Sequence, residues 1–219
     1  MSRMICVVGG SNSGKTRLIS TIVSELSKSG WNVATAKHSS HSFSFEPRSK
    51  DTFKHRKSGA KTVLFLGPKE TIVVRPSGEK LSVCAAKYSG EADVVIGEGF
   101  ASEDYPKILV ATEKKANRKT IALTNVRAVV CKPYLSSLMS SIAPSAPRFS
   151  PENIKGICSF IEKEFISSNS LPITYMIVNG KKIPLKGFVQ DLIGQSILGM
   201  VRSLKGTGKP KSVEVIIKA

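Results

Sequence analysis

The chain has 219 residues, 41% hydrophobic and 22% charged, the balance of a globular protein with one sizeable core. Lysine and arginine number 33 against 16 aspartates and glutamates, a net charge of +17 that draws polyanions to the surface. No apolar run approaches the roughly 20 residues that span a bilayer, and residues 4–8, followed at once by glycines, are too short for a signal-peptide core. The expected compartment is cytoplasmic, with no membrane partner. Aromatic residues are only 6% and the lysines are dispersed. With no RNP-like or helix-turn-helix pattern, nucleic acid is a poorer fit to the charge than a small anionic ligand. Cys6, Cys84, Cys131 and Cys158 stand singly among apolar neighbours, as small buried hydrophobes do in a reducing compartment.

Residues 4–8 form a short β-rich run. A helical stripe follows from Lys15 to Lys28, with Leu18, Ile19, Ile22, Val23 and Leu26 on one face and Gly30 just past its end. Strands are expected at 31–36, 62–66, 70–74, 93–96, 108–111, 120–122 and 128–131, and a charged helix at 51–58. Residues 81–88 fit either helix or strand. A helix is expected at 152–165, with Ile154, Ile157, Cys158 and Ile161 on one face. Such alternation predicts an α/β fold with a mainly parallel sheet flanked by helices. The polar run 167–170 followed by Pro172 marks a boundary between a nucleotide-binding domain, 1–166, and a small C-terminal module, 171–219. In the module, Asn179-Gly180 signals a hairpin between 173–178 and 182–185. A helix at 187–204 and a last strand at 213–217 complete a ββαβ appendage.

Gly9-Gly10-Ser11-Asn12-Ser13-Gly14-Lys15-Thr16 matches G-x-x-x-x-G-K-[ST] between a strand and a helix. The glycines let backbone N–H groups converge on phosphate oxygens, Lys15 supplies charge, the Thr16 hydroxyl suits magnesium, and the helix adds its N-terminal dipole. A P-loop needs a carboxylate at the end of a neighbouring strand. Glu98, between Gly97 and Gly99 after an apolar run, is that candidate. Two further clusters are open in meaning. Lys37, His38 and His41 fit an anionic substrate, a metal or a solvated loop. Asp51, preceded by Arg48, fits either a magnesium-side acid or a helix cap.

The P-loop, Lys37-His38-x-x-His41, Lys50-Asp51-Thr52, Arg56-Lys57-Ser58-Gly59-Ala60, Glu98-Gly99-Phe100 and Pro106-Lys107-Ile108 occur in that order. Together they resemble the molybdopterin-guanine dinucleotide biosynthesis protein B (MobB) family, over roughly residues 4–165. The resemblance implies a P-loop NTPase fold and a homodimer that binds GTP with Mg²⁺ and hydrolyses it weakly. It implies an accessory role to the guanylyltransferase that converts molybdopterin to molybdopterin guanine dinucleotide. By the same resemblance, Thr16, Asp51 and Glu98 surround the metal, and Lys37, His38, His41 and Arg48 contact phosphate or pterin. The chain departs from a guanine-reading [NT]KxD segment: 124–127, Thr-Asn-Val-Arg, comes nearest and lacks the acid. The segment after Ser167 lies outside the family core, and a dimerisation or partner-docking role is its working hypothesis. A P-loop small-molecule kinase, a metallochaperone-type GTPase and a basic nucleic-acid module are the competing readings.

Overall fold

The computed structural model describes residues 4–39, 51–76, 78–112, 123–167, 174–179, 181–208, 210 and 212–217. Residues 1–38 and 81–219 form one compact unit, and residues 39–80 form a second.

In the larger unit, β1 (Met4–Gly9) runs into the P-loop and then α1 (Lys15–Lys28). Next come β2 (Val33–Lys37), α3 (Leu81–Tyr88), β5 (Val94–Glu98), β6 (Lys107–Val110) and β7 (Val126–Val130). A 3₁₀ turn at Pro133–Leu135 leads to α4 (Ser136–Ile142), then β8 (Arg148–Phe149) and α5 (Ile154–Ile161), which continues as π-helical turns over Glu162–Ser167. The sheet order is β2-β5-β1-β6-β7-β8, and every pairing in it is parallel. The period-2 alternation of β1 decides which face meets which helix. Ile5 and Val7 pack with Leu18, Ile22 and Leu26 of α1 and Ile157 and Ile161 of α5. Met4, Cys6 and Val8 pack on the opposite face with Leu81 of α3 and Met139 of α4. Helices thus cover both faces, as an all-parallel sheet requires. All the strands end at one edge, which is where the P-loop leaves β1.

The smaller unit holds α2 (Asp51–Lys57) and the antiparallel hairpin of β3 (Val63–Leu66) and β4 (Thr71–Val74). Leu64, Phe65, Leu66 and Val73 of the hairpin are exposed.

The ambiguous stretch 81–88 is helical, with Leu81 and Val83 buried. β8 and α4 were not foreseen. A two-residue strand has no readable alternation, and the Ser-rich 136–142 segment carries a weak apolar stripe. Residues 120–122 lie outside the described residues. In the C-terminal segment, β9 (Met176–Val178) and β10 (Lys181–Ile183) pair as the foreseen hairpin, with Asn179 at φ 49°. It is followed by α6 (Gly187–Arg202). The last strand, 213–217, does not form: 212–217 carry no regular structure. Strand propensity needs a ladder partner, and among the described residues β9 and β10 pair only with each other. The described part of this segment is therefore ββα.

Candidate functional site

The P-loop is shaped by backbone conformations that few residues reach. Asn12 sits at φ 58° and Gly14, the residue before α1, at φ 84°. Gly9 is required by close approach, because a Cβ there would lie 2.4 Å from the Val110 carbonyl oxygen of the neighbouring strand. Lys15 folds back over the loop and donates to the carbonyls of Gly9 at 3.2 Å and Gly10 at 2.6 Å, and to Ser13 Oγ at 3.4 Å. Its amine is thereby held above the loop, beside the first turn of α1.

Parallel pairing brings the carboxylate in. Glu98, the last residue of β5, is in register with Val7 of β1 and Lys37 of β2. The Thr16 hydroxyl lies 3.0 Å from both Glu98 oxygens, and Lys37 Nζ lies 3.3 Å from Oε1. The Glu98 side chain is only 17% exposed, so it is held against these partners. The chain then turns sharply, with Gly99 at φ 94° and Phe100 at φ 59°. The backbone N–H of His38 donates to the Glu98 carbonyl at 3.0 Å, and that of Gly99 to the Val7 carbonyl at 3.0 Å. The imidazole of His38 tilts on the Phe100 ring, with centroids 5.3 Å apart. Gly97 is closely surrounded: a Cβ would lie 3.0 Å from Cys6 Sγ and 3.1 Å from the Phe100 ring, side chains that would have to give way by a few tenths of an ångström.

An open cavity of about 430 Å³ lies here, lined by the loop from Ser11 to Thr16 with Arg17, Lys37 and Glu98. Of the foreseen residues, the structure joins Thr16, Lys37 and Glu98 around one point and sets Lys15 on the same loop. His38 stands beside them, against Phe100. Asp51 opens α2 in the smaller unit, exposed, with Lys54 Nζ donating to it at 2.9 Å. His41 and Arg48 lie outside the described residues. Arg17 was missed, although its place directly after G-K-T points it to the cavity mouth. The 124–127 segment is at the wrong end of the sheet to read a base. It enters β7 from the N-terminal side, where the Thr124 carbonyl accepts from Lys107 Nζ at 3.1 Å.

Lys107 is the other residue that sequence reasoning did not place. Its side chain is fully buried. It donates to the carbonyls of Glu103 at 2.5 Å, Tyr105 at 3.1 Å and Thr124, so three donors meet three acceptors. The lysine ties the loop between β5 and β6 to the entry of β7. Beside it, burial pushes the Cys6 thiol up to about 12, with Lys107 lowering it and Glu103 raising it in smaller measure. No group of three or more His, Cys, Asp or Glu residues suited to a metal occurs among the described residues. None of the described helices is long and apolar enough to cross a membrane.

A family model, molybdopterin guanine dinucleotide synthesis protein B, matches residues 4–132, which hold every one of these cavity residues. A Methanocaldococcus jannaschii protein, named as a candidate molybdopterin-guanine dinucleotide biosynthesis adapter protein, is 24% identical over 98% of this chain and 97% of its own. That match extends into the C-terminal segment. The molybdopterin-guanine dinucleotide biosynthesis adapter protein of Haemophilus influenzae is 28% identical over 49% of this chain and 62% of its own length. Among solved structures, a molybdopterin-guanine biosynthesis protein B superposes with a TM-score of 0.54 at 25% identity, covering 74% of this chain and 98% of that one. A MobB homologue from Bacillus stearothermophilus, at 22% identity and a TM-score of 0.53, shares the fold.

Proposed function

The chain belongs to the molybdopterin guanine dinucleotide synthesis protein B family, and from that premise we propose that it binds GTP as an accessory protein of molybdenum cofactor assembly. The observation that carries this reading is the joining of Thr16, Glu98 and Lys37 at the mouth of the P-loop. The loop amides and Lys15 receive the phosphates. The Thr16 hydroxyl and the Glu98 carboxylate are the oxygen donors that magnesium prefers, and the ion, when bound, would offset phosphate charge. Lys37, opposite Glu98 on the neighbouring strand, extends the cationic rim toward a second anion, with the His38 imidazole beside it as a hydrogen-bonding group; a pterin phosphate is the candidate. The described lining holds no glutamine to orient water, and its arginine, Arg17, follows the P-loop on the first turn of α1 and is not a finger reaching in from another segment, so hydrolysis is slow. The protein holds nucleotide and assists a molybdopterin guanylyltransferase.

A homodimer is part of the same reading. The hairpin of β3 and β4 leaves Leu64, Phe65, Leu66 and Val73 exposed, and a two-stranded hairpin is marginal without further packing.

Isothermal titration with GTP and ATP, each with magnesium, tests the proposal. GTP should bind at least about tenfold more tightly than ATP, and Lys15→Ala should remove binding of both. Tighter ATP binding, or full binding by the variant, would overturn it. Sedimentation of the wild type beside Leu64→Ser/Leu66→Ser tests the dimer, which the substitutions should dissociate.

A further inference from the structure

The C-terminal segment carries an apolar ridge that stands exposed among the described residues. Residues 189, 193, 197 and 201 of α6 are half-buried, and Gly194 is buried, so this side of the helix rests on the protein. The adjacent row on the helix is Phe188, Leu192 and Met200, exposed at 76%, 54% and 69%, and Leu204, two residues past the end of α6, is exposed at 61%. The helical positions step by four through the small Ser196 and so form an i±4 ridge of the kind that packs into the groove of another helix. With about 1.5 Å per residue, the ridge from Phe188 to Met200 is about 18 Å long, enough for about three turns of a partner helix.

Charge says what that helix carries. Lys181, Lys186, Arg202 and Lys205 are all exposed and lie before, at the start of, within and just after α6. Residues 171–219 hold 8 lysines and arginines against Asp191 and Glu214, a net +6. A second copy would set +6 against +6. An anionic bilayer is a poor match as well, because α6 holds Arg202 as its single basic residue, where an interfacial helix carries several lysines. An apolar seam with an acidic rim is the complement of an apolar ridge with a basic one.

We propose that the ridge of Phe188, Leu192 and Met200, with Leu204 just beyond it, docks an acidic amphipathic helix of a partner protein. The apolar seam holds the helix, and the surrounding lysines and arginines orient it and speed its arrival.

The test uses the full chain and two synthetic 20-residue leucine-seamed helical peptides, one with glutamates on its polar face and the other with lysines. Fluorescence anisotropy should show the glutamate peptide binding, weakening with added salt, and the lysine peptide not binding. Phe188→Ser/Leu192→Ser/Met200→Ser should weaken the glutamate peptide by about tenfold or more while melting as the parent does. Met200→Lys alone, at an exposed position, should weaken it in the same direction and guards against misfolding of the triple variant. Lys181→Glu/Lys186→Glu/Arg202→Glu/Lys205→Glu should invert the preference to the lysine peptide. The proposal is overturned if neither peptide binds, if both bind equally, or if the apolar variants bind as the parent does. It is overturned in favour of a second copy if sedimentation shows a dimer that the triple variant abolishes. It is overturned in favour of lipid if phosphatidylglycerol vesicles bind in place of the glutamate peptide.

Discussion

Replacing Lys107 with methionine keeps the length and most of the volume of the side chain but removes its three donors. The carbonyls of Glu103, Tyr105 and Thr124 then lose a common partner in a place where the side chain is fully buried. Hydrogen bonds from a charged donor contribute about 1.5–3 kcal/mol each, and the lost desolvation cost of the amine offsets part of the sum. The net loss for Lys107→Met is about 3–5 kcal/mol, a large share of the 5–15 kcal/mol that typically holds a domain together. For a chain of this size each kcal/mol moves the melting temperature by about 2–4 °C, so the variant should melt roughly 10 °C below the parent in a calorimeter. Lys107 sits at the start of β6, whereas the P-loop leaves the far end of β1. The folded fraction of the variant should therefore bind nucleotide within about twofold of the parent. Melting within about 2 °C of the parent would refute the reasoning, since the three carbonyls would then have to be satisfied without the lysine.

Gly9→Ala places a methyl group 2.4 Å from the Val110 carbonyl oxygen, which belongs to a paired strand and cannot withdraw. Titration should show nucleotide affinity reduced about tenfold or more, whereas Gly10→Ala, with nothing within 4 Å of its added carbon, should keep the parent melting temperature to within about 1 °C. Burial pushes the Cys6 thiol up to about 12 and the Cys158 thiol to about 11, from an ordinary 9.0. Alkylation of Cys6 at pH 8 should be about a thousandfold slower in the native chain than after unfolding, read by mass spectrometry. The stability these thiols lend is full below pH 9. It is lost above that, because the unfolded chain gives up its protons first, so a pH series of melts should decline from about pH 9 upward. Asn153 caps α5 by accepting from the Gly156 N–H at 3.0 Å. Its replacement by alanine should cost about 1 kcal/mol, seen as a fall of about 2–4 °C in melting temperature.

The parts of the fold written locally were readable. The helix expected from the apolar stripe between Lys15 and Lys28 is α1 residue for residue, and the strand before it ends at Gly9. Glu98 was readable because glycines flank it and an apolar run precedes it, although it closes β5 and does not follow it. What escaped depends on neighbours. Lys107 stands in the sequence only as part of the Pro106-Lys107-Ile108 step; lysine is almost never fully buried, and it takes the convergence of three carbonyls to make an interior lysine tolerable. Lys37 reads as the first residue of a loop. Its role comes from register, which sets it opposite Glu98 on the adjacent strand. The strand expected at 213–217 had the propensity without a partner.

If the cavity takes a nucleotide with magnesium, as proposed, the charges that line it explain why a carboxylate belongs there. Lys15, Arg17 and Lys37 bring three positive charges to the lining and Glu98 one negative. For a bare phosphate, Glu98 would be a liability: beside the helix N-terminus it would repel an anion drawn to Lys15 and the loop amides. Paired with a divalent cation, the same carboxylate becomes a ligand, and the balance changes sign. A nucleoside triphosphate with its magnesium carries a net charge of about −2, which matches a lining of about +2. Substitution of Glu98 by glutamine should then leave affinity for metal-free nucleotide equal or higher and lower it when magnesium is added, whereas a purely structural carboxylate would change both together. The hydroxyl of Thr16 and the amine of Lys37 hold Glu98 on that boundary, one from the first turn of α1 and the other from the edge strand. Three segments far apart in the chain meet there because an all-parallel sheet brings all its strand ends to one edge.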